Sequence, residues 1–172
     1  MLDYTVTWLE MTARPPTPRR APPATGLSLA RAANPPVHFF RYLYDAVGAP
    51  HEWTDLHAWS DEEVAAFAQN GAVRLNVAYL GGCPAGFVML DLRARPVADI
   101  AYFGLMPEFV GRGLGAWLLL EGVHAAWDEG IDRLTVNTCT LDHPAALPLY
   151  RKAGFAPVRE EARSRKPAGD RI

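Results

Sequence analysis

Gly111, Gly113 and Gly115 fall within five positions, with Arg112 among them, directly ahead of the apolar run AWLLLEGVHAAW. Glycine inside a helix costs roughly 0.5–1 kcal/mol relative to alanine, so such a cluster at a helix start suggests close approach to the backbone. The first N–H groups of a helix lack intrahelical partners, and the aligned peptide dipoles place about half a positive charge there. Amides from Gly111 to Ala116 can therefore converge on a phosphate or pyrophosphate, with Arg112 adding a charged contact. A tight strand-to-helix turn with close packing is the structural alternative.

Three phosphate loops compete for these residues. A Walker A loop needs Lys and Ser/Thr directly after its last glycine, and neither is present. Gly111-x-Gly113-x-x-Ala116 does satisfy the dinucleotide pattern G-x-G-x-x-G/A. That reading also requires an acid at the end of the next strand to hold a ribose, and the segment there ends Asn137-Thr138-Cys139-Thr140. The glycines also lie in the second half of the chain rather than opening a repeated βαβ sheet. A nucleotide-dependent oxidoreductase stays open on these residues alone, beside a loop for the pyrophosphate of coenzyme A.

The surrounding pattern predicts the elements that must hold the loop. Strand-like runs occupy 4–11 and 26–32, joined by the Pro/Arg-rich RPPTPRRAPPAT (14–25), which reads as a mobile hairpin loop solvated by Arg14, Arg19 and Arg20. Asn34 ahead of two prolines reads as the N-cap of a first helix, and Ser60 with Glu63 forms a capping box for a second. The aromatics Phe39, Phe40, Tyr42, Tyr44, Trp53, Trp59 and Phe67 suit packing of two helices on a sheet, with one or two facing an acceptor. Strands at 72–80, 85–93 and 97–106 form an antiparallel meander; the helix at about 112–128 and the strand at 133–140 complete a right-handed βαβ unit. On that helix His124 shares a polar face with Glu121 and Asp128, and is expected to face solvent. A short helix interrupted by Pro148 ends at Gly154, a last strand begins at Phe155, and the basic RSRK (163–166) reads as a frayed tail. The fold class is mixed α/β, or α+β.

The chain has 172 residues, 49% of them apolar, which is the size of one domain with a single core. The net charge is −2, from 17 Lys+Arg against 19 Asp+Glu, and supplies no basic field for nucleic acid. Cys83 and Cys139 fit no disulfide framework and no zinc spacing, so they read as reduced thiols of a cytoplasmic protein with no metal. No signal sequence or membrane span is indicated.

Two segments together resemble the GNAT superfamily of N-acetyltransferases. FGLMPEFVGRGLGAWLL (103–119) is similar to that family's strand, proline break, [RQ]-x-x-G-x-[GA] loop and helix. HPAALPLYRKAGF (143–155) is similar to its second signature, N-x-x-A-x-x-x-Y-x-x-x-G-F, at the usual separation. Two positions depart: Val110 stands where Arg or Gln is usual, and His143 where the Asn is. The resemblance implies a GNAT-like mixed central sheet, with antiparallel N-terminal strands and a parallel βαβ unit carrying the pyrophosphate loop. It divides the single domain (1–172) into an N-terminal hairpin extension (1–33), an acetyl-CoA core (97–158) and a flexible tail (160–172). It further implies an acetyl-CoA-dependent N-acetyltransferase acting directly on a primary amine of a small molecule or peptide. Phe103, Gly104 and Leu105 would pair with the pantetheine arm, Gly111, Arg112, Gly113, Leu114, Gly115 and Ala116 would hold the pyrophosphate, and His143 would meet the arm. Tyr150 would protonate the leaving thiolate, which its ordinary pKa near 10 permits. Asp99 would accept the amine proton through water, with Glu108 and His143 as weaker bases. Asp45, Glu52, Asp55, Asp61 and Glu62 would suit a cationic acceptor. A non-catalytic acyl-CoA sensor is the second alternative, and an exposed sheet edge allows a homodimer.

Overall fold

The computed structural model describes residues 1–167. Seven strands form one sheet in the order β2-β3-β4-β5-β6-β1-β7, with β1 Leu2–Met11, β2 Ser28–Ala32, β3 Val73–Leu80, β4 Cys83–Asp91, β5 Val97–Leu105, β6 Arg133–Cys139 and β7 Ala156–Arg165. β5 and β6 run parallel, and every other neighbouring pair is antiparallel. Four helices cover the sheet: α1 Val37–Gly48, α2 Asp61–Ala68, α3 Leu114–Asp128 and α4 Ala146–Ala153. One apolar core, containing Leu90, Ile100, Leu118 and Val136, lies under α3 and α4. The other, containing Phe40, Leu43, Phe87 and Met89, lies under α1 and α2.

Local chemistry accounts for most boundaries. Gly81 and Gly82 take φ of +61° and +81° between the paired residues Leu80 and Cys83, as a two-residue hairpin turn with both centres left-handed requires. Ser60 accepts from the Glu63 amide while the Glu63 carboxylate accepts from the Ser60 amide, so the capping box is complete. The Asn34 cap is not formed. Pro36 holds the residue before it away from the helical region, so α1 begins only at Val37, and Asn34 turns left-handed ahead of it with φ of 51°. Pro148 sits in the first turn of α4, where its missing N–H costs nothing, and the helix is short.

The N-terminal strands do not form a hairpin. β1 lies between β6 and β7, whereas β2 pairs with β3 at the opposite edge. The Pro/Arg-rich segment between them therefore crosses the outer face of α3. Arg19 reaches Glu121 and Asp128, each at 2.6 Å, and Arg14 reaches Asp128 at 2.8 Å. This strap buries His124, which is 4% exposed: its Nε2 donates to the Thr17 carbonyl (2.8 Å) and its Nδ1 accepts from Arg14 (3.0 Å). The expected solvent-facing histidine is thus a strap contact, because a non-local segment covers the polar face of α3. The expected frayed tail is also corrected through residue 165: the length of β7 pairs with β1, Leu2 opposite Arg165. Residues 168–172 of that tail lie outside the described residues.

Candidate active site

The parallel seam between β5 and β6 carries the site. Paired positions run from Val97/Arg133 to Ile100/Val136 and stop, although β5 continues to Leu105 and β6 to Cys139. A bulge at Ala101 accompanies the parting: on β4, Met89 opposes Tyr102 and the next residue, Leu90, opposes Ile100. A bulge bends its strand, and here the bend coincides with the point where β5 leaves β6. The wedge so opened widens into a cavity of about 880 Å³, within the range of small-molecule sites. Phe103, Gly104 and Leu105 line it from β5, Asn137 and Cys139 from β6, and Tyr150 from α4.

The glycine loop closes one end. Gly111 and Gly113 have φ of +79° and +76°, a backbone that L side chains rarely adopt, whereas Gly115 is helical. Gly113 is the N-cap of α3 and no side chain caps the first turn, so its amides have no side-chain partner. Gly111, Gly113, Gly115 and Ala116 line the cavity. Arg112 and Leu114 do not: Arg112 stacks over the Phe109 ring at 5.3 Å, and Leu114 is buried in the core. Val110, 40% exposed, lines the cavity with an apolar side chain. Gly104 has a packing reason as well, since a Cβ there would meet Val47 Cγ1 at 2.4 Å.

Tyr150 is 5% exposed, packed edge-on against Phe103 and Phe155, and its hydroxyl makes no hydrogen bond among the described residues. Burial, with smaller contributions from the Asp142 and Asp99 charges, raises its pKa well above the ordinary phenol value. The phenol is therefore protonated throughout the neutral range. His143 also lines the cavity; its Nδ1 accepts from the Ala145 amide at 3.1 Å, which leaves Nε2–H of the neutral ring as a donor rather than a base.

Asp99 is set back from the cavity. It lies in the paired part of β5, opposite Thr135, whose hydroxyl donates to it at 2.6 Å. Burial, with a smaller push from the Asp91 charge, raises its pKa despite that bond. Glu108 does not line the cavity either. Among the acids near the aromatic helices, Asp45 is engaged by His57 (2.6 Å) and Asp61 by Arg41 (3.0 Å), while Glu52 and Asp55 line the cavity. Asp55 makes no ion pair among the described residues.

Two of the aromatics named from the sequence line the cavity, and several other lining residues escaped sequence reasoning. Tyr44 and Trp53 are the two aromatics of the 39–67 set on the wall, and Tyr102 joins them from β5 with ring centroids 5.3 and 5.6 Å away. Burial raises the Tyr44 phenol to about 12. Tyr4 and Trp8 on β1, with Arg163 and Arg165 on β7, complete the far wall. No local signal marks them, because β1 and β7 meet the site only through long-range pairing.

Residues 38–155 match the model of the family described as Acetyltransferase (GNAT) family. The chain belongs to the GNAT acetyltransferase family. It is similar over 63 residues, at 39% identity, to a mycothiol acetyltransferase of Nocardia farcinica (strain IFM 10152). That stretch is 37% of this chain and only 20% of the relative. Among solved structures, a putative GNAT-family acetyltransferase from Novosphingobium aromaticivorans DSM 12444 aligns with TM-score 0.65 and 18% identity, over 94% of this chain and 63% of that one. An aminoglycoside acetyltransferase from an uncultured soil metagenomic sample, in complex with sisomicin, aligns with TM-score 0.61 and 18% identity, over 75% and 88% respectively. At such identities these structures speak for the fold. The match spans about a fifth of the mycothiol enzyme's length. No helix among the described residues is long and apolar enough to cross a membrane.

Proposed function

We propose that this GNAT domain transfers an acetyl group from acetyl-CoA directly to a primary amine. The observation that carries the reading is the joint geometry of the wedge: an uncapped helix N-terminus at one end and the Tyr150 phenol at the gap between the strands. Acetyl-CoA, when bound, supplies an acetyl thioester that an amine nitrogen attacks, giving an amide and a free thiol. The residues fit it. The first-turn amides after Gly111 and Gly113 hold the pyrophosphate, and the backbone of Phe103, Gly104 and Leu105, with no partner on β6, pairs with the pantetheine arm.

Tyr150 delivers its proton at the sulfur end of the wedge and recovers it from solvent. The amine proton leaves to water bounded by Asp55, in preference to Asp99, because Asp55 lines the cavity and Asp99 does not. A cationic amine suits the acceptor side, where the partly exposed rings of Trp53 and Tyr102 share the cavity lining with the Asp55 carboxylate. Cys83 and Cys139 are free, which supports a reducing, cytoplasmic setting.

The test has two arms. Acetyl-CoA at 100 times its dissociation constant stabilises the fold by about 2.7 kcal/mol, so it raises the melting midpoint where NAD does not. Thiol release is then followed across a panel of amines and peptide N-termini. Binding without release from any amine would favour an acyl-CoA sensor instead.

A further inference from the structure

The acceptor wall at residues 51–55 links two single helical turns, Ala49–His51 and Asp55–Ala58, and it is held from both sides of the cavity. A single turn, Ala49–His51, ends at Glu52 in the left-handed region with φ of 60°. A non-glycine residue there persists only where its surroundings impose it. The reversal returns Trp53 to α1: its amide donates to the Gly48 carbonyl at 3.1 Å, and its ring fills the space a Gly48 side chain would occupy. Across the cavity, Trp53 Nε1 donates to Asp142 Oδ1 at 3.1 Å. The other Asp142 oxygen accepts from the Thr138 hydroxyl (2.6 Å) and the Cys139 amide (2.9 Å). One carboxylate thus joins the end of β6 and the turn leading into the Tyr150 helix to the acceptor wall.

We propose that Asp142 is a positioning residue: by holding Trp53 across the cavity, it fixes the acceptor wall relative to the turn that carries Tyr150. The latch stands on its own geometry; its effect on turnover rests on the acyl-transfer reading above. Further ties hold the wall, from Arg165 to the Thr54 hydroxyl at 2.6 Å and the Glu52 carbonyl and from the His51 ring edge-on to His143, so loss of the Trp53 bond loosens the segment without freeing it.

Cys139 reports on the latch, since it lines the cavity, is half-buried and bonds Asp142 through its amide. In a Cys83→Ser background, the rate of N-ethylmaleimide alkylation at Cys139 is measured by mass spectrometry. Trp53→Phe keeps an aromatic six-membered ring but deletes the donor with part of the indole's volume, and alkylation should accelerate about tenfold or more, as loss of a hydrogen bond to a carboxylate corresponds to. Asp142→Asn removes a charge that itself disfavours the thiolate, so Trp53→Phe is the deciding single variant. In the double variant Trp53→Phe should add nothing to Asp142→Asn, whose single oxygen stays with the Thr138 hydroxyl and the Cys139 amide and leaves its NH2 group against the Trp53 donor. With an amine that supports thiol release, Trp53→Phe should raise the acceptor KM several-fold and leave the acetyl-CoA KM unchanged. An unaltered alkylation rate in Trp53→Phe, effects that multiply in the double variant, or equal loss for both substrates would each overturn the proposal. If no amine is turned over, the alkylation arm still decides the latch, and the acyl-transfer reading alone fails.

Discussion

At the scale of single residues, the Tyr150 phenol and the half-buried Asp99 carboxylate make opposite predictions. Tyr150→Phe removes a proton donor and almost no volume, so acetyl-CoA should raise the melting midpoint as in the parent while thiol release falls by about 10²–10⁴-fold, the usual worth of a general acid. Release indifferent to the change would remove Tyr150 from the mechanism. Asp99→Asn should instead leave release within a few-fold of the parent and stabilise the fold. Burial raises the Asp99 pKa above 3.8, so the folded state binds the proton more tightly than the unfolded chain does. Stability from this group is therefore intact below 3.8, falls as pH rises through the raised folded value, and stays lost at neutral pH. The gain in melting midpoint for Asp99→Asn should grow across that window, each recovered kcal/mol reading as about 2–4 °C in a domain of this size. Scanning calorimetry over a pH series checks it, and a gain independent of pH would refute the burial argument. The candidate acid was legible in the sequence because it sits inside a spaced signature. The retreat of Asp99 was not, since it depends on where β5 stops pairing with β6.

At the scale of elements, the glycine loop separates into two kinds of position. Gly111 and Gly113 hold left-handed backbone, which costs an alanine about 1–2 kcal/mol. Gly115 is helical, and a Cβ there would make only ordinary contacts with Leu105 and Leu149. Alanine at 111 or 113 should therefore diminish the shift that acetyl-CoA gives, and alanine at 115 should preserve it while adding about 0.5–1 kcal/mol of stability. Titrated melting curves distinguish the three, and equal loss at all three positions would mean that each glycine is read by the ligand. The sequence exposed the cluster but not this division, because φ is a property of the turn rather than of residue type. The strap over α3 shows the same limit: twelve residues rich in proline and arginine look solvated one by one, and only the path from β1 to β2 brings Arg14 and Arg19 to Glu121, His124 and Asp128.

At the scale of the whole molecule, the part that the family model matches is smaller than the part that folds. The family match covers 38–155 and leaves out β1, β2 and β7. Yet β1 pairs with β6 from Val6/Cys139 to Met11/Leu134 and contributes Leu9 and Met11 to the core under α3. Without β1, β6 becomes an open edge at the site itself, and the cavity loses Tyr4, Val6 and Trp8. In the full chain the outer edge is β7, where Arg159, Glu160, Glu161, Arg163 and Arg165 place charges that discourage pairing with another sheet. A chain trimmed to 38–155 keeps both signatures and, but for Val37, all four helices, yet should lack the cooperative thermal transition expected of the full chain, and with it the response to acetyl-CoA. Circular dichroism melts of the two chains decide this. A trimmed chain that melts cooperatively and is stabilised by acetyl-CoA would mean that β1 and β7 serve the acceptor wall alone, and that α3, α4 and the central strands suffice as a folding unit.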